Sequence, residues 1–439
     1  MKELYSKIIL LLLDLLAIFI SIVIGYEIRY FLGASFEHQF GHTLSLYLSL
    51  WMIYVFPIGL MFNEGIYTRR YDFWHESRLV LKALFMSLIL ILAILAMTKT
   101  INEYSRATII FIFLSISFFI PLFKNIGKKY LYKIGLWQRK VKIYSHDTFL
   151  SEEIKTNHYL GYIEVHKEEP KTVFINSTEL GIDATQAILH KEVKKHHEVI
   201  FIPLINEYNL THSFIYELSN TRTNLIVFQN RLKSPLRTEF KNISDFMLSL
   251  LMFPFLIPVM LAVAYKIKRE NPDEKIFFKQ KRLGKHGKPF NCYKFQTMYE
   301  NSDAMLETYL KEHPEEIDYY QKYHKYEHDP RVTKVGHFLR RTSLDELPQI
   351  FNVFRGDMSF IGPRPYMLDE KEIIGEEIET ILSVKPGITG LWQVSGRSDV
   401  DFQTRVELDV WYIRNWNLWM DLVILIKTIK TVLVREGAS

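Results

Sequence analysis

A single cysteine, Cys292, occurs in the 439 residues of this chain. One thiol can form neither a disulfide framework nor a cysteine-based zinc site within the chain, so both of these stabilising devices are excluded. Scarcity of cysteine is also typical of proteins whose soluble parts face a reducing compartment.

Charged residues are scarce in four stretches of the first 125 residues: Ile8–Ile24, Leu44–Phe62, Leu79–Met97 and Thr108–Phe123. Each stretch approaches the length of about 20 residues that a helix needs to cross a bilayer. Four such stretches joined by short polar loops favour a transmembrane bundle over the buried helices of a soluble protein. Asp14 interrupts the first stretch, and we expect its carboxyl at the membrane interface or facing the bundle interior.

A cleavable signal peptide is disfavoured, because the first apolar stretch is long for a signal sequence and no small-residue cleavage site follows it. The basic residues of the loops predict the orientation, since cytoplasmic loops carry the excess of Lys and Arg. The loops on the basic side hold Arg69, Arg70, Arg78, Lys124, Lys128, Lys129, Lys133, Arg139 and Lys140, and the others hold Arg29, Lys99 and Arg106. Both ends of the bundle and the rest of the chain are therefore expected in the cytoplasm.

The overall composition fits membrane segments joined to soluble parts, since 48% of the residues are hydrophobic and 23% are charged. The net charge of +5 suits anionic lipid heads, phosphorylated substrates or nucleic acid, and does not choose among them.

Residues 140–240 contain short runs typical of strands, with helix-like stretches between them. The runs are VKIYS at 141–145, KTVFIN at 171–176, EVIFIPL at 198–204 and NLIVF at 224–228. Strands alternating with helices predict a Rossmann-like parallel α/β module. The glycine-rich turn that a nucleotide-binding unit has after its first strand is missing, so we expect a structural or dimerising module.

Residues 244–266 form another apolar stretch, and basic residues flank it. Its length fits a membrane-spanning helix. Pro254 and Pro258 lie in its middle, and because proline removes a helical hydrogen bond and bends the axis, a re-entrant helix that returns to the same face fits as well. The segment alone leaves both alternatives open.

Residues 275–300 carry a basic, glycine-containing turn, with Lys279, Lys281, Arg282, Lys285, Lys288 and Lys294 around Gly284 and Gly287. Such a turn can bring backbone N–H groups and cations to a phosphate. A solvated basic hairpin beside an anionic membrane is the more common use of such a run.

Residues 331–366 contain two adjacent carboxylates, Asp345 and Glu346, and a proline-flanked arginine, Arg364. Ser343 followed by Glu346 fits a helix N-cap with a capping box, which would be purely structural. An ionised carboxylate at that point could equally attack phosphorus or hold Mg²⁺. Pro348 is close enough to predict an irregular start for the helix.

Residues 385–399 read KPGITGLWQVSGRSD, and Gly387, Gly390 and Gly396 predict a bent loop that carries Trp392 and Arg397. An aromatic ring and an arginine on such a loop suit a nucleotide base and phosphate, and a surface loop packed by its tryptophan is the alternative. The tail at 411–434 has the pattern of an interfacial helix, with a core helix as the competing interpretation.

Three of these motifs together resemble the bacterial sugar transferase family, the monotopic phosphoglycosyl transferases. They are KFQTM at 294–298, RRTSLDELPQIFNVFRGDMSFIGPRP at 340–365 and PGITGLWQVSGR at 386–397. The four-helix bundle over 1–125 and the α/β module over 140–240, placed before a catalytic domain over 241–439, resemble the long subclass. That subclass includes undecaprenyl-phosphate galactose and glucose phosphotransferases.

The resemblance implies transfer of a hexose 1-phosphate from a UDP-sugar to undecaprenyl phosphate through a phosphosugar carried on Asp345. It implies that Glu346 assists, that Asp345 and Glu346 hold Mg²⁺, and that Arg340, Arg364, Arg397 and Lys294 bind the substrate phosphates. It also implies a re-entrant helix bent at Pro254 or Pro258, although Phe253 stands where the family often has serine. A homodimer in the bacterial inner membrane, with the catalytic domain on the cytoplasmic face, completes the expectation.

Two other functions are weighed against this one. A non-catalytic membrane scaffold or regulator of glycan assembly would be a dead copy of the domain, and the intact carboxylates and arginines argue against it. A membrane protein that binds nucleic acid through the basic run at 279–294 leaves the acidic and proline motifs unexplained, so no nucleic-acid partner is expected.

Overall fold

The structure is a computed structural model, and it describes the chain except for residues 1, 36–42, 146, 166–169, 178–181, 197, 204–213, 219–222, 228–231, 233, 301, 315, 318–328, 396–400 and 435–439. The chain divides into two compact units, Met1–Asn206 and Glu207–Ser439.

The first unit begins with long helices, as the apolar stretches predict. They are α1 (Lys2–Ser35), α2 (Leu44–Leu48), α3 (Met52–Asn63), α4 (Phe73–Met97) and α5 (Arg106–Lys133). Asp72 caps α4 by accepting a hydrogen bond from the backbone of Trp74, and Ser105 caps α5 in the same way for Thr108. The second predicted stretch is divided between α2 and α3.

Several helices are long and apolar enough to cross a membrane. Within the described residues these candidate spans are Lys2–Gly33, Leu44–Asn63, Phe73–Met97, Arg106–Lys133 and Pro235–Glu270. The first four correspond to the predicted bundle.

Helices α1 and α5 pack closely because a glycine lies between them. A Cβ placed on Gly25 would lie 2.7 Å from the Cα of Ile112, so only hydrogen fits there. Around this contact Ile18, Ile22 and Ile112 are completely buried.

Among the residues of the bundle that the structure describes, four ionic side chains are buried: Asp14, Glu76, Lys124 and Lys128. Lys124 lies 2.8 Å from the Asp14 carboxylate and 3.6 Å from that of Glu76, which also pairs with Lys128. The Tyr67 hydroxyl donates to Asp14 over 2.6 Å. Asp14 therefore faces the bundle interior, which is one of the two positions expected for it, and opposite charges there offset the cost of burial.

An α/β module completes the first unit. Its elements are β1 (Arg139–Tyr144), α6 (Thr148–Thr156), β2 (Tyr162–Glu164), β3 (Thr172–Asn176), α7 (Ile182–Lys195) and β4 (Glu198–Ile202). The strands form a parallel sheet in the order β2-β1-β3-β4. Three of the four predicted runs lie in this sheet. The fourth, at 224–228, does not: it supplies β6 (Thr223–Val227), which pairs antiparallel with β5 (Phe214–Leu218) in a separate ribbon.

Arg70, in the loop before α4, joins the helices to this module. Its Nη1 donates to the carbonyl oxygens of Leu160 at 2.6 Å and Gly161 at 3.0 Å, and its guanidinium lies 4.1 Å from the centre of the Trp137 ring. The Trp137 indole in turn donates to the carbonyl of Tyr159 at 2.9 Å. One side chain thus makes two close hydrogen bonds to backbone carbonyls, a longer one of 3.5 Å to the carbonyl of Trp137, and covers an aromatic face.

Replacing Arg70 with alanine is expected to lower the free energy of unfolding by about 2–3 kcal/mol, because two hydrogen bonds from a charged donor are lost. Thermal unfolding of the detergent-solubilised protein, followed by tryptophan fluorescence, would measure the change. Arg69 is exposed, so Arg69→Ala is a matched control that should stay within about 0.5 kcal/mol of wild type. Equal effects of the two substitutions would contradict this role for Arg70.

The second unit begins with the β5–β6 ribbon. The elements that follow are α8 (Pro235–Glu270), β7 (Phe277–Leu283), β8 (Pro289–Phe295), α9 (Asp303–Glu312), α10 (Lys334–Thr342), α11 (Ile350–Arg355), β9 (Ser359–Ile361), α12 (Glu370–Ile374), α13 (Ile378–Leu382), β10 (Gly387–Thr389), α14 (Leu391–Ser395), α15 (Phe402–Asn415) and α16 (Leu418–Val434). Strands β7 and β8 form an antiparallel hairpin, and β9 pairs in parallel with β10.

Helix α8 has 36 residues and contains both Pro254 and Pro258. At 1.5 Å per residue its length along the chain is about 54 Å, well beyond the thickness of a bilayer core. Leu251 and Phe255 are 66% and 72% exposed, which is the pattern of a surface that meets lipid. The re-entrant bend stays a prediction.

Polar side chains fasten the first half of α8 to the rest of the unit. Asp245 accepts hydrogen bonds from the Ser359 hydroxyl at 2.7 Å and the Phe360 backbone at 3.3 Å, both on β9. Lys241 lies 2.6 Å from Asp421 on α16. Helix α8 is thereby fixed to the strand that leads into the Arg364 loop.

Candidate active site

The two carboxylates lie on a short turn between two helices. Helix α10 ends at Thr342, and Ser343 follows with φ 55° and ψ 18°, which is left-handed backbone. A 3₁₀ turn, Leu344–Gln349, then carries Asp345 and Glu346. The irregular start predicted from Pro348 is confirmed. The capping box is wrong, because the Ser343 side chain makes no capping hydrogen bond.

Lys294 reaches the dyad from β8. Its Nζ lies 2.7 Å from Glu346 Oε1, and both side chains are about 30% exposed, at 31% and 29%. The charges of Glu346 and Asp345 raise the pKa of Lys294 against the effect of its burial. A cation therefore stands beside the two carboxylates, at the edge of solvent.

Arg340 lies one turn before the dyad, on α10. Its Nε donates to the Thr297 hydroxyl at 3.1 Å, within the KFQTM motif. Helix α10 sits close to that motif because Gly336 has no side chain: a Cβ there would lie 2.1 Å from the Thr297 carbonyl oxygen. This contact places α10 next to the KFQTM motif, although the two are distant in the sequence.

Burial and the negative charge of Glu346 together raise the pKa of Asp345 to about 6, against the opposing effects of Lys294 and Arg340. The ionisation of Asp345 therefore depends on its burial and on the charges of Glu346, Lys294 and Arg340. A buried carboxylate with a shifted pKa is a mark of functional sites.

The ionisation of Asp345 can be followed with a water-soluble carbodiimide, which reacts with protonated carboxyls. In EDTA, labelling of the Asp345 peptide, read by mass spectrometry, is expected to fall as pH rises through about 6. Glu346→Gln should move this midpoint down because a negative neighbour is lost, and Lys294→Met should move it up because a positive one is lost. A midpoint near 4, or one that neither variant moves, would refute this account of the site.

Arg364 occupies the tight turn that follows β9. Its Nη2 lies 3.6 Å from Glu370 Oε1, and its guanidinium lies 5.9 Å from the centre of the Trp392 ring. Arg405 approaches the same ring at 5.2 Å. Arg397, the other predicted phosphate ligand, lies outside the described residues, as does Gly396.

Arg282 lies between the Arg364 loop and the Asp345–Glu346 pair. It is not one of the phosphate-binding residues predicted from the sequence. Burial lowers the pKa of Arg282 and Arg364 lowers it further, whereas Glu370 and Glu346 oppose the shift. Arg282 therefore interacts electrostatically with both Arg364 and Glu346 of the dyad. The alternation of side chains along β7 and β8 could have predicted this position. Phe278 pairs with Lys294, and Arg282, four residues further along β7, lies on the same face of the hairpin. Lys279, Lys281 and Lys288 of the basic turn are exposed.

The residues present fit a magnesium ion that shares its ligands with a substrate. In the described part of the chain no cluster of three or more His, Cys, Asp or Glu side chains could hold a metal by itself. Mg²⁺ commonly binds through one or two carboxylates plus substrate phosphates, and Asp345 and Glu346 supply two carboxylates.

The glycines of PGITG lie beside the Arg364 loop. Gly387 is on strand β10, so the segment is not the bent loop that was predicted there. A Cβ on Gly387 would lie 2.1 Å from the backbone nitrogen of Gly362, and one on Gly390 would lie 2.4 Å from the carbonyl oxygen of Gly362. The two segments thus meet backbone to backbone.

Comparison with known proteins agrees with these motifs. The family model described as "Bacterial sugar transferase" matches residues 236–435. An undecaprenyl-phosphate galactose phosphotransferase of Salmonella typhimurium is 35% identical over 406 residues, which cover 85% of this chain and 84% of that protein. A UDP-galactose-lipid carrier transferase of Erwinia amylovora is 31% identical over 85% of this chain and 84% of its own length.

A shorter match supports the same conclusion. A UDP-glucose:undecaprenyl-phosphate glucose-1-phosphate transferase of Escherichia coli is 31% identical over 64% of this chain and 60% of its own length. The first two matches extend well beyond the transferase domain, into the N-terminal helices. The chain therefore belongs to the bacterial sugar transferase family, as one of its long members.

Proposed function

We propose that this protein transfers a hexose 1-phosphate from a UDP-hexose, UDP-galactose or UDP-glucose, to undecaprenyl phosphate, and releases UMP. The observation that carries the proposal is the group of cations around the half-buried carboxyl of Asp345. The names of the relatives support the donor and acceptor classes, since they specify galactose or glucose and undecaprenyl phosphate. The reaction would be the first membrane step in assembling an O-antigen, capsule or exopolysaccharide.

The reaction proceeds in two displacements at one phosphorus atom. An oxygen of the ionised Asp345 carboxylate attacks the β-phosphorus of the UDP-hexose, the bond to the bridging oxygen breaks, and UMP leaves. The hexose phosphate is then held on Asp345 as an acyl phosphate. An oxygen of undecaprenyl phosphate attacks the same phosphorus, the bond to Asp345 breaks, and undecaprenyl-diphosphate-hexose leaves.

The surrounding cations stabilise the charge of both displacements. Phosphoryl transfer depends mainly on positioning and on neutralisation of charge, which Lys294, Arg340 and Arg364 can supply. Arg364 has the planar guanidinium that binds two phosphate oxygens at once. Mg²⁺ held by Glu346 and Asp345 together with the diphosphate would add further neutralisation.

The proposed reaction requires the site to meet the lipid phosphate at the cytoplasmic face of the inner membrane. A re-entrant α8, bent at Pro254 or Pro258, would return the catalytic domain to that face, and the exposed apolar residues of α8 agree with a position in lipid. A tag after Ser439 should then be protected from reagents outside the cell. External labelling of the tag would show a spanning helix instead.

The sheet of residues 139–202 would serve as a Rossmann-like module that binds no nucleotide, and two copies of the chain would form a dimer.

The function is tested with purified protein, undecaprenyl phosphate, Mg²⁺ and a panel of radiolabelled UDP-sugars. One hexose donor is expected to give UMP and to move its label into the organic phase. Release of UDP would contradict the proposal, because UDP marks transfer of the sugar without its phosphate. Absence of any nucleotide release would favour the non-catalytic scaffold.

A further inference from the structure

The loop Gly362–Tyr366, which presents Arg364, is bonded to β10, where the Gly387 N–H donates to the Pro363 carbonyl at 2.8 Å, and it is held from two further sides. On one side, Arg282 Nη1 donates to the carbonyl of Pro365 at 3.1 Å, and the backbone N–H of Leu283 donates to the carbonyl of Tyr366 at 2.8 Å. Both donors lie at the end of β7. They fix the second half of the loop.

On the other side the loop meets Asp409, on α15. Asp409 Oδ2 accepts the backbone N–H of Arg364 at 2.9 Å and the hydroxyl of Tyr366 at 2.9 Å. Two groups on either side of Pro365 thus converge on one oxygen atom. Asp409 takes part in neither displacement and was not among the predicted site residues.

The surroundings of Asp409 are unusual for a carboxylate. The side chain is completely buried, and Oδ1 has no hydrogen-bond partner in the part of the chain that the structure describes. Within the same residues no Lys, Arg or His forms a salt bridge with it, although the charge of Arg364 favours its ionised form. Burying a carboxylate without an ion-pair partner costs stability, and an apolar side chain could fill the same space. A carboxylate at this position is therefore best explained by its two hydrogen bonds to the loop.

We propose that Asp409 is a positioning residue, which holds the backbone at Arg364 so that the guanidinium meets the donor diphosphate. The inference rests on the proposed function, because it assumes that Arg364 binds phosphate. The prolines on either side of Arg364 limit its backbone and accept hydrogen bonds through their carbonyls, but they have no N–H to donate. The N–H of Arg364 is therefore the donor within Pro363–Pro365 through which the loop can be fastened, and Asp409 accepts it.

The test compares kcat/KM for UMP release in single and double variants. Asp409→Ala is expected to lower it about 10- to 100-fold, because small displacements of a positioning group cost that much. Arg364→Gln is expected to lower it about 100- to 1000-fold. If Asp409 acts through Arg364, then adding Asp409→Ala to Arg364→Gln should change the rate less than about threefold. Multiplicative losses would overturn the proposal and leave a general structural role.

Conservative variants keep the test decisive if Asp409→Ala fails to fold. Asp409→Asn should recover most of the loss, because an amide oxygen can take the place of Oδ2 and the amide nitrogen that of the unpaired Oδ1. Tyr366→Phe removes one of the two hydrogen bonds and should fall between wild type and Asp409→Ala. An asparagine variant as impaired as the alanine variant would overturn the positioning role in favour of a requirement for charge.

The matched control is Glu407→Ala, an exposed carboxylate on the same helix, which should leave the rate unchanged. The same assays distinguish failure of the proposed function from failure of the proposed role of Asp409. No UMP release by wild type, or full activity of Arg364→Gln, would refute the proposed function or the role of Arg364. Full activity of Asp409→Ala beside an impaired Arg364→Gln would refute the role of Asp409 alone.

Discussion

Asp345→Asn is expected to abolish transfer of radiolabelled sugar phosphate to lipid, with a loss of at least about 10³-fold in kcat. Asparagine has nearly the same shape as aspartate, so the turn Leu344–Gln349 should keep its conformation. An amide cannot form the acyl phosphate, however, and loss of the group that bonds to the substrate removes the whole two-step route. UMP release and label in the organic phase should disappear together.

A partial reaction distinguishes loss of the nucleophile from loss of binding. If the phosphosugar is held on Asp345, labelled UMP should exchange into the UDP-sugar without any lipid acceptor. Asp345→Asn should lose this exchange, while Glu346→Gln, which keeps the nucleophile, should retain a measurable part of it. Unchanged turnover in Asp345→Asn would show that another group, or the lipid phosphate itself, attacks the donor.

Features that depend on local pattern could be predicted from the sequence. The four apolar helices follow from hydropathy and length, and strands β1, β3 and β4 follow from short β-branched runs. The run at 224–228 has the same pattern and yet lies in another ribbon, since propensity does not specify the partner of a strand.

Several features of the site could not be predicted from neighbouring residues. The letters at Ser343 and Glu346 match a capping box, but the preceding helix ends at Thr342 and leaves Ser343 in left-handed backbone. The roles of Arg282 and Asp409 depend on contacts across 83 and 45 residues, respectively. No pattern of neighbouring residues contains that information.

The glycines of PGITG are a further feature whose role depends on a contact distant in the sequence. Glycine in a sequence suggests a turn, because it adopts conformations that other residues avoid. At Gly387 the reason is instead the approach of another backbone, at Gly362, which begins the Arg364 loop. The motifs GPRP and PGITG therefore belong to one structural element, the β9–β10 pair.

Gly387→Ala is accordingly expected to lower the free energy of unfolding by at least about 2 kcal/mol and to reduce UMP release strongly. The new Cβ would lie 2.1 Å from the nitrogen of Gly362 and 2.6 Å from the carbonyl oxygen of Thr389. Both are backbone atoms, so no side-chain rotation can relieve the clash, and β9 must move together with the loop that carries Arg364. Gly59→Ala is the control, since nothing lies within 4 Å of its Cβ position on a helix. A melting temperature and kcat/KM equal to those of Gly59→Ala would mean that the two strands are not so close. A loss of activity larger than the loss of stability explains would place the effect in the position of Arg364.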